Sequence, residues 1–379
     1  MPCRPVYTPR LCPRVLRLRP SLCLARVRSR PFSFACVHSP TSTPAYARSV
    51  LPAAKITPII AEARGLGPPP WTDCNSPPSH SAFSSPAGLM RFISQLRALS
   101  GGKPIGFKVA SVDDPTRSPD FTPSPPLPRA APPLTSYVRV CPLLEQLCVG
   151  QPHELAALVH AMVDSGVTPD FITVDGAEGG TGAAPLEFQN SVGFPLAEGL
   201  RLVDSMLVGA GVRDEITIIG SGKVYNGFSL VRTLAHGADL TNAARSFMFS
   251  LGCIQALKCN SNTCPTGITT QNPELESGLD VESKADRIRN FHRATVHAAL
   301  EIVGAVGVSS PKDVTPRHLY RRESGFKAMD YAQLSKEYFP VLEEPGILLN
   351  EASSSGKVPK QLAYWWAEGG KLHAKTKHL

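Results

Sequence analysis

Hydrophobic positions in this chain follow helix or strand periods in some stretches and no period in others. Between 85 and 101, Leu89, Phe92, Ile93, Leu96 and Leu99 share one helical face. Ser85 stands where a cap belongs, Pro86 suits the first turn, and Gly101 and Gly102 end the run. The apolar run 104–109 then predicts a short buried strand carrying one lysine, Lys108. From Pro152, Leu155, Leu158, Val159 and Met162 predict a helix closed by Gly166, and 170–175 a strand. A helix over 195–211, a strand over 215–220, a short helix over 227–236 and a strand within 238–244 follow, then helical segments around 245–258 and 281–305. Strand and helix alternate, with glycine-rich turns after the strands. That is the pattern of an α/β fold with a parallel sheet and helices outside it. Four strand–helix units are countable, near 105–109, 171–175, 216–219 and 239–243. Eight would close a barrel.

Two stretches lack any period. Residues 110–146 hold nine prolines between 115 and 142 and no glycine, which predicts a loop or disordered insert. Residues 1–54 hold nine arginines and no Lys, Asp or Glu, whereas 55–379 carry 30 Lys+Arg against 31 Asp+Glu. The overall charge of +8 is therefore a tail property and the body is neutral. No basic stripe interleaved with aromatics marks a nucleic-acid surface, and no apolar run is long enough to span a membrane. The arginine-rich, acid-free tail has the character of an organellar transit peptide or of plain disordered sequence, leaving a cytoplasmic or an organellar location open. The expected organisation is a disordered basic tail at 1–54, ordered regions at 55–109 and 147–322 flanking the insert, and a C-terminal extension at 323–379.

Ten cysteines scattered over 379 residues do not form a disulfide framework. Three cluster: Cys253, Cys259 and Cys264, the last followed by Pro265. Structural zinc favours pairs two to four residues apart and four ligands, whereas closely spaced thiolates before Cys-Pro suit an iron–sulfur cluster, three of them a three-iron cluster. Zinc and unliganded buried cysteines remain the alternatives at this point. A second signal runs from Asp175 to Pro185 directly after a strand, with Glu178 and glycines 176, 179, 180 and 182 around Thr181. Its backbone amides can approach an anion or a planar ring, and its carboxylates stand at a strand's C-terminal end. Ser221-Gly222-Lys223 and Gly237-Ala238-Asp239, with Arg245, are candidates for a phosphate. Lys108 needs a partner inside an apolar strand. His80, His153 and His236 show no ligand spacing and are expected in loops or at the surface.

Together 170–188, Ser221–Val224, Gly237–Leu240 and the segment 252–267 resemble the FMN-binding domain of glutamate synthase and stand-alone proteins of that type. The likeness includes 56–67 and 76–83, resumes at Leu147 and continues to about Arg322. It implies a (β/α)8 TIM-type barrel carrying FMN and a 3Fe-4S cluster, and an oxidoreductase that forms glutamate from 2-oxoglutarate and ammonia with electrons from ferredoxin or a reduced-nicotinamide-dependent partner. It implies Cys253, Cys259 and Cys264 as cluster ligands, and Lys108, Glu178 and Glu198 as residues near flavin and substrate. Gly179, Gly180 and Thr181 would lie on the flavin, and Gly222, Lys223, Gly237, Ala238 and Arg245 at its phosphate end. The family's early strands and its amidotransferase domain have no counterpart before Lys55, so a C-terminal half-barrel is expected. An incomplete, non-catalytic fragment and an FMN barrel acting on another small molecule are the competing readings.

Overall fold

The computed structural model describes residues 50–75, 82–109, 149–176, 193–259, 261–338, 342–350 and 357–378. The expected disorder at 110–146, and at 1–49 of the tail, lies outside the described residues. Residues 50–54, the end of the expected tail, are among the described residues. Strand β1 (Val50–Leu51) pairs antiparallel with β2 (Cys74–Asn75), and a 3-10 turn covers Ala53–Lys55. Helix α1 (Pro58–Arg64) lies between them, capped by the Thr57 hydroxyl.

Helix α2 (Pro86–Leu99) starts as its local chemistry requires: Ser85 Oγ accepts from the Gly88 amide at 3.1 Å. Leu89 and Ile93 are buried, whereas Leu99 turns outward. Strand β3 (Gly106–Val109), helix α3 (Pro152–Ser165), strand β4 (Phe171–Asp175), helix α4 (Leu196–Gly209), strand β5 (Thr217–Ser221), helix α5 (Gly227–Ala235) and strand β6 (Leu240–Asn242) then alternate. The four strands form one parallel sheet in the order β3-β4-β5-β6. Because spatial order equals chain order, each crossover steps the same way and the sheet has no switch point. This is a partial parallel sheet with flanking helices.

Alternation along β4 and β5 separates two faces. Ile172, Val174 and Ile218 face the main core with Leu155, Val159, Met162, Leu200, Val203 and Met206 of α3 and α4. Thr173, Asp175, Ile219 and Ser221 face the other way. On that second face the register aligns Thr173, Ile219 and Leu240 in one row and Asp175, Ser221 and Asn242 in the next, and the Lys108 backbone lies opposite Thr173.

Helix α6 (Arg245–Leu251) is shorter than the expected 245–258, because Gly252 (φ 110°) turns the chain left-handed. Helices α7 (Pro273–Glu276) and α8 (Val281–Val306) follow, the latter packed on α5 through Val231, Ala235, Ala299 and Val303. An exposed hairpin, β7 (Tyr320–Ser324) with β8 (Lys327–Asp330), leads to α9 (Tyr331–Tyr338). Helix α10 (Lys360–Thr376) lies within the expected C-terminal extension at 323–379. Leu362 and Trp366 belong to the main core, with Trp366 stacked on His160 of α3 at 3.8 Å between ring centres.

His236 lies in the turn after α5, as a loop residue, but it is buried and not at the surface, with its ring edge against Tyr331. Burial, aided by Arg201 and Arg232, lowers its pKa to about 3.

Candidate functional site at the strand ends and the cysteine loop

The C-terminal ends of β4, β5 and β6 meet in one place. Asp175, Ser221 and Asn242 stand side by side in register, and the Gly176 amide donates to the Ser221 carbonyl at 2.9 Å. Asp175 is almost fully buried there. Gly176 is required by the close approach of α4: a β-carbon on it would fall 2.6 Å from the Leu196 nitrogen. Glu198 lies in the first turn of α4, and its Oε2 is buried with no hydrogen-bond partner among the described residues. A carboxylate oxygen in that position is costly unless something donates to it.

Beyond β5, Gly222 and Lys223 turn the chain across the same end. Lys223 is exposed and adopts φ 42°, a conformation unusual for a residue with a side chain. Ser246 in α6 donates its hydroxyl to the Val224 carbonyl at 3.1 Å, which joins the loops after β5 and β6. Arg245, at the start of α6, belongs to this joined rim. The start of α5 is closed by its own chemistry: Asn226 Oδ1 accepts from the Ser229 amide, and Ser229 Oγ accepts from the Asn226 amide.

Gly237 and Ala238 are elsewhere. They precede β6 and so stand at the opposite end of the sheet from Gly222 and Lys223. Ala238 is core, and the Gly237 carbonyl accepts from Arg213 at 3.0 Å. Gly237 has φ 107°, and a β-carbon on it would meet Asp204 at 2.8 Å, so its glycine character is accounted for by packing. Lys108 is placed by register beside Thr173, on the row behind the mouth. Glu178, Gly179, Gly180 and Thr181 lie outside the described residues.

Helix α6 runs directly into the cysteine loop. Between Cys253 and Cys264 the backbone is left-handed at Gln255 (φ 56°), Leu257 (φ 54°) and Asn262 (φ 62°). Such a path costs of order 1–3 kcal/mol per non-glycine residue and persists only where surroundings impose it. Asn262 does much of the imposing. Its Oδ1 accepts from the Gln271 amide at 2.7 Å, its carbonyl accepts from Thr270 Oγ1 at 2.7 Å, and its Nδ2 donates to the Ala54 carbonyl at 3.1 Å. Lys55 was not singled out from the sequence, yet its ammonium donates to the carbonyls of Cys259 and, at 3.0 Å, Thr269. Burial lowers the Lys55 pKa, and the Cys259 and Cys264 sulfurs pull it back up.

Cys253 and Cys259 are half-buried and Cys264 is buried, all with free thiols. Burial raises the Cys264 thiol, but the hydrogen-bonding groups of Thr266 and Thr269 around it outweigh burial and bring it down to about 6. Thr266 Oγ1 is 3.4 Å from this sulfur. Three thiols on one loop, with a cation from a distant segment held against it, fit a sulfur-rich anionic group in their chemistry. Among the described residues no three His, Cys, Asp or Glu side chains stand close enough to hold a metal ion.

The fold and this rim define an α/β protein with loops gathered at the C-terminal ends of parallel strands and a three-thiol loop following the last of them. The chain belongs to the glutamate synthase family: the family described as "Conserved region in glutamate synthase" matches residues 44–117 and 149–309. Among curated proteins, the "Glutamate synthase large subunit-like protein YerD" of Bacillus subtilis is 35% identical over 273 residues, covering 72% of this chain and 44% of that protein. The "Archaeal glutamate synthase (NADPH)" of Methanocaldococcus jannaschii is 30% identical over 261 residues, covering 69% and 42%. The chain thus spans less than half the length of these relatives. A solved flavocytochrome b2 structure overlaps 52% of this chain and 41% of its own at 15% identity and a TM-score of 0.30, too weak a likeness to carry an argument. Family membership assigns the chain to the glutamate synthase superfamily of oxidoreductases. Among the described residues no helix is long and apolar enough to cross a membrane.

Proposed function

We propose that the chain forms the C-terminal half of a (β/α)8 barrel that carries FMN and a 3Fe-4S cluster and serves the reductive formation of glutamate from 2-oxoglutarate and ammonia. The observation that carries this reading is the cysteine loop, where the Cys264 thiol is brought down to about 6 and the Lys55 ammonium is held by the carbonyls of Cys259 and Thr269 on either side of it. Cys253, Cys259 and Cys264 would hold the cluster. The amides of Gly222 and Lys223 and the side chain of Arg245 would receive the flavin phosphate, and Gly179, Gly180 and Thr181 would lie along its ring. Gly237 and Ala238 have no part in this assignment, since they stand at the far end of the strands. When bound, the two groups would supply single-electron transfer and hydride delivery. Lys108, Glu178 and Glu198 supply charge and proton-holding groups for a keto acid and its nitrogen donor; the buried Glu198 Oε2 awaits such a donor. Ferredoxin or a reduced-nicotinamide-dependent partner would provide electrons.

A reading with little turnover by the chain alone is favoured by one feature. Among the described residues β6 pairs with β5 alone, and Leu240, at the end of the row through Thr173 and Ile219, is 56% exposed. A barrel open at that edge would leave a flavin without a wall on that side. The test is anaerobic purification with iron, sulfide and flavin analysis, followed by FMN titration and an assay of glutamate from 2-oxoglutarate, ammonia and a chemical reductant. Iron with sulfide and weak FMN binding is expected. Stoichiometric zinc without sulfide would overturn the cluster assignment, and micromolar flavin affinity with turnover in a monomer would overturn the open-barrel reading.

A further inference from the structure

The cysteine loop is held by a segment some two hundred residues earlier in the chain. The turn Ala53–Lys55 is anchored on one side by the Ala53 amide, which donates to Asp73 Oδ1 at 2.8 Å. On the other side it reaches the loop twice. Lys55 Nζ donates to the carbonyls of Cys259 and Thr269, and Asn262 Nδ2 donates to the Ala54 carbonyl. The two carbonyls on Lys55 lie on either side of Cys264, so a single ammonium ties both flanks of the buried thiol. The ammonium thereby lies against the backbone of one proposed ligand, Cys259, and of the segment just after another, Cys264.

We infer that Lys55 is a positioning residue for the cysteine loop and the fixed cation that sets the reduction potential of a cluster held by Cys253, Cys259 and Cys264. This rests on the cluster reading above. A cluster gains negative charge on reduction, and a cation beside its thiolates favours the reduced form. Held by two backbone carbonyls, this ammonium keeps its place during the change in charge, so its effect falls on the potential.

The experiment compares the full chain with Lys55→Met and Lys55→Arg variants, purified anaerobically and supplied with ferrous iron and sulfide. Iron and sulfide are assayed, and the midpoint potential is followed by electron paramagnetic resonance during a redox titration. Lys55→Met should lose part of its iron, and the clusters that do form should have a more negative midpoint. Lys55→Arg should return the midpoint most of the way to wild type. An unchanged midpoint in Lys55→Met, whatever its iron content, would overturn the inference while leaving the cluster itself standing. Wild type without iron and sulfide would overturn both. Should Lys55→Met fail to fold by circular dichroism, Lys55→Gln, which keeps a donor without the charge, decides by the same midpoint comparison.

Discussion

Arg213 donates from Nε to Asp204 Oδ1 at 2.7 Å, and this half-buried pair fastens α4 to the N-terminal ends of β5 and β6. The same guanidinium donates to Asp239 at 3.0 Å and to the carbonyls of Ile216 and Gly237, while Asp239 also accepts from the Ile218 amide at 2.8 Å. Burial raises the Asp204 carboxyl even with Arg213 beside it. Removing one partner therefore strands a desolvated charge. Arg213→Met should destabilise the fold by about 3–5 kcal/mol, and Arg213→Lys should recover only part of that, because an ammonium cannot reproduce the fork. Urea denaturation checks it; a loss below about 1 kcal/mol would show that the network contributes little.

His236 predicts a pH dependence. Its folded pKa, near 3, lies below the unfolded value of about 6.5, so the unfolded chain binds the extra proton between those limits. Its contribution is fully present above about pH 6.5 and is lost as pH falls toward 3, at up to about 1.4 kcal/mol per pH unit. Asp204, raised by burial, works in the opposite sense. The difference between wild type and His236→Gln isolates the histidine. Stability measured by denaturant between pH 7 and 4 should fall less steeply in the variant, and parallel curves would refute the assignment.

Helix α10 should behave as core. Trp366 is 8% exposed, stacks on His160, and its carbonyl lies 3.0 Å from His160 Nε2. Trp366→Ala should cost about 3–5 kcal/mol, as large aromatic truncations in cores do. The thermal unfolding midpoint is the readout, and an unchanged midpoint would show that α10 contributes little to the core.

Cys264 should titrate well below an ordinary thiol. In iron-free protein its thiolate absorbance should rise with a midpoint near 6, with Cys264→Ser as the blank. Thr266→Val removes the hydroxyl 3.4 Å from the sulfur and should move the midpoint up toward the ordinary value of about 8.5. No shift in Thr266→Val would assign the effect to Thr269 and the backbone instead.

What could be read from the residues alone was local. The start of α2 follows from Ser85 and Gly88, three positions apart, and β4 from a compact apolar run, because caps and side-chain alternation are properties of neighbours in the chain. The alternation of strands and helices, the three-thiol loop and the family likeness were legible for the same reason. The tertiary structure decided what depends on distant partners. Gly-Ala-Asp beside a strand reads alike at either strand end, and only the sheet shows Gly237 on the Arg213 side, away from Gly222. His236 is buried because Tyr331, far along the chain, closes over it. Trp366 becomes core because α3 presents His160 to it. Lys55 meets the cysteine loop across 204 residues, through backbone carbonyls that every residue carries and no side-chain pattern announces. Periodicity records which face of an element is buried; it holds no record of which element lies against that face.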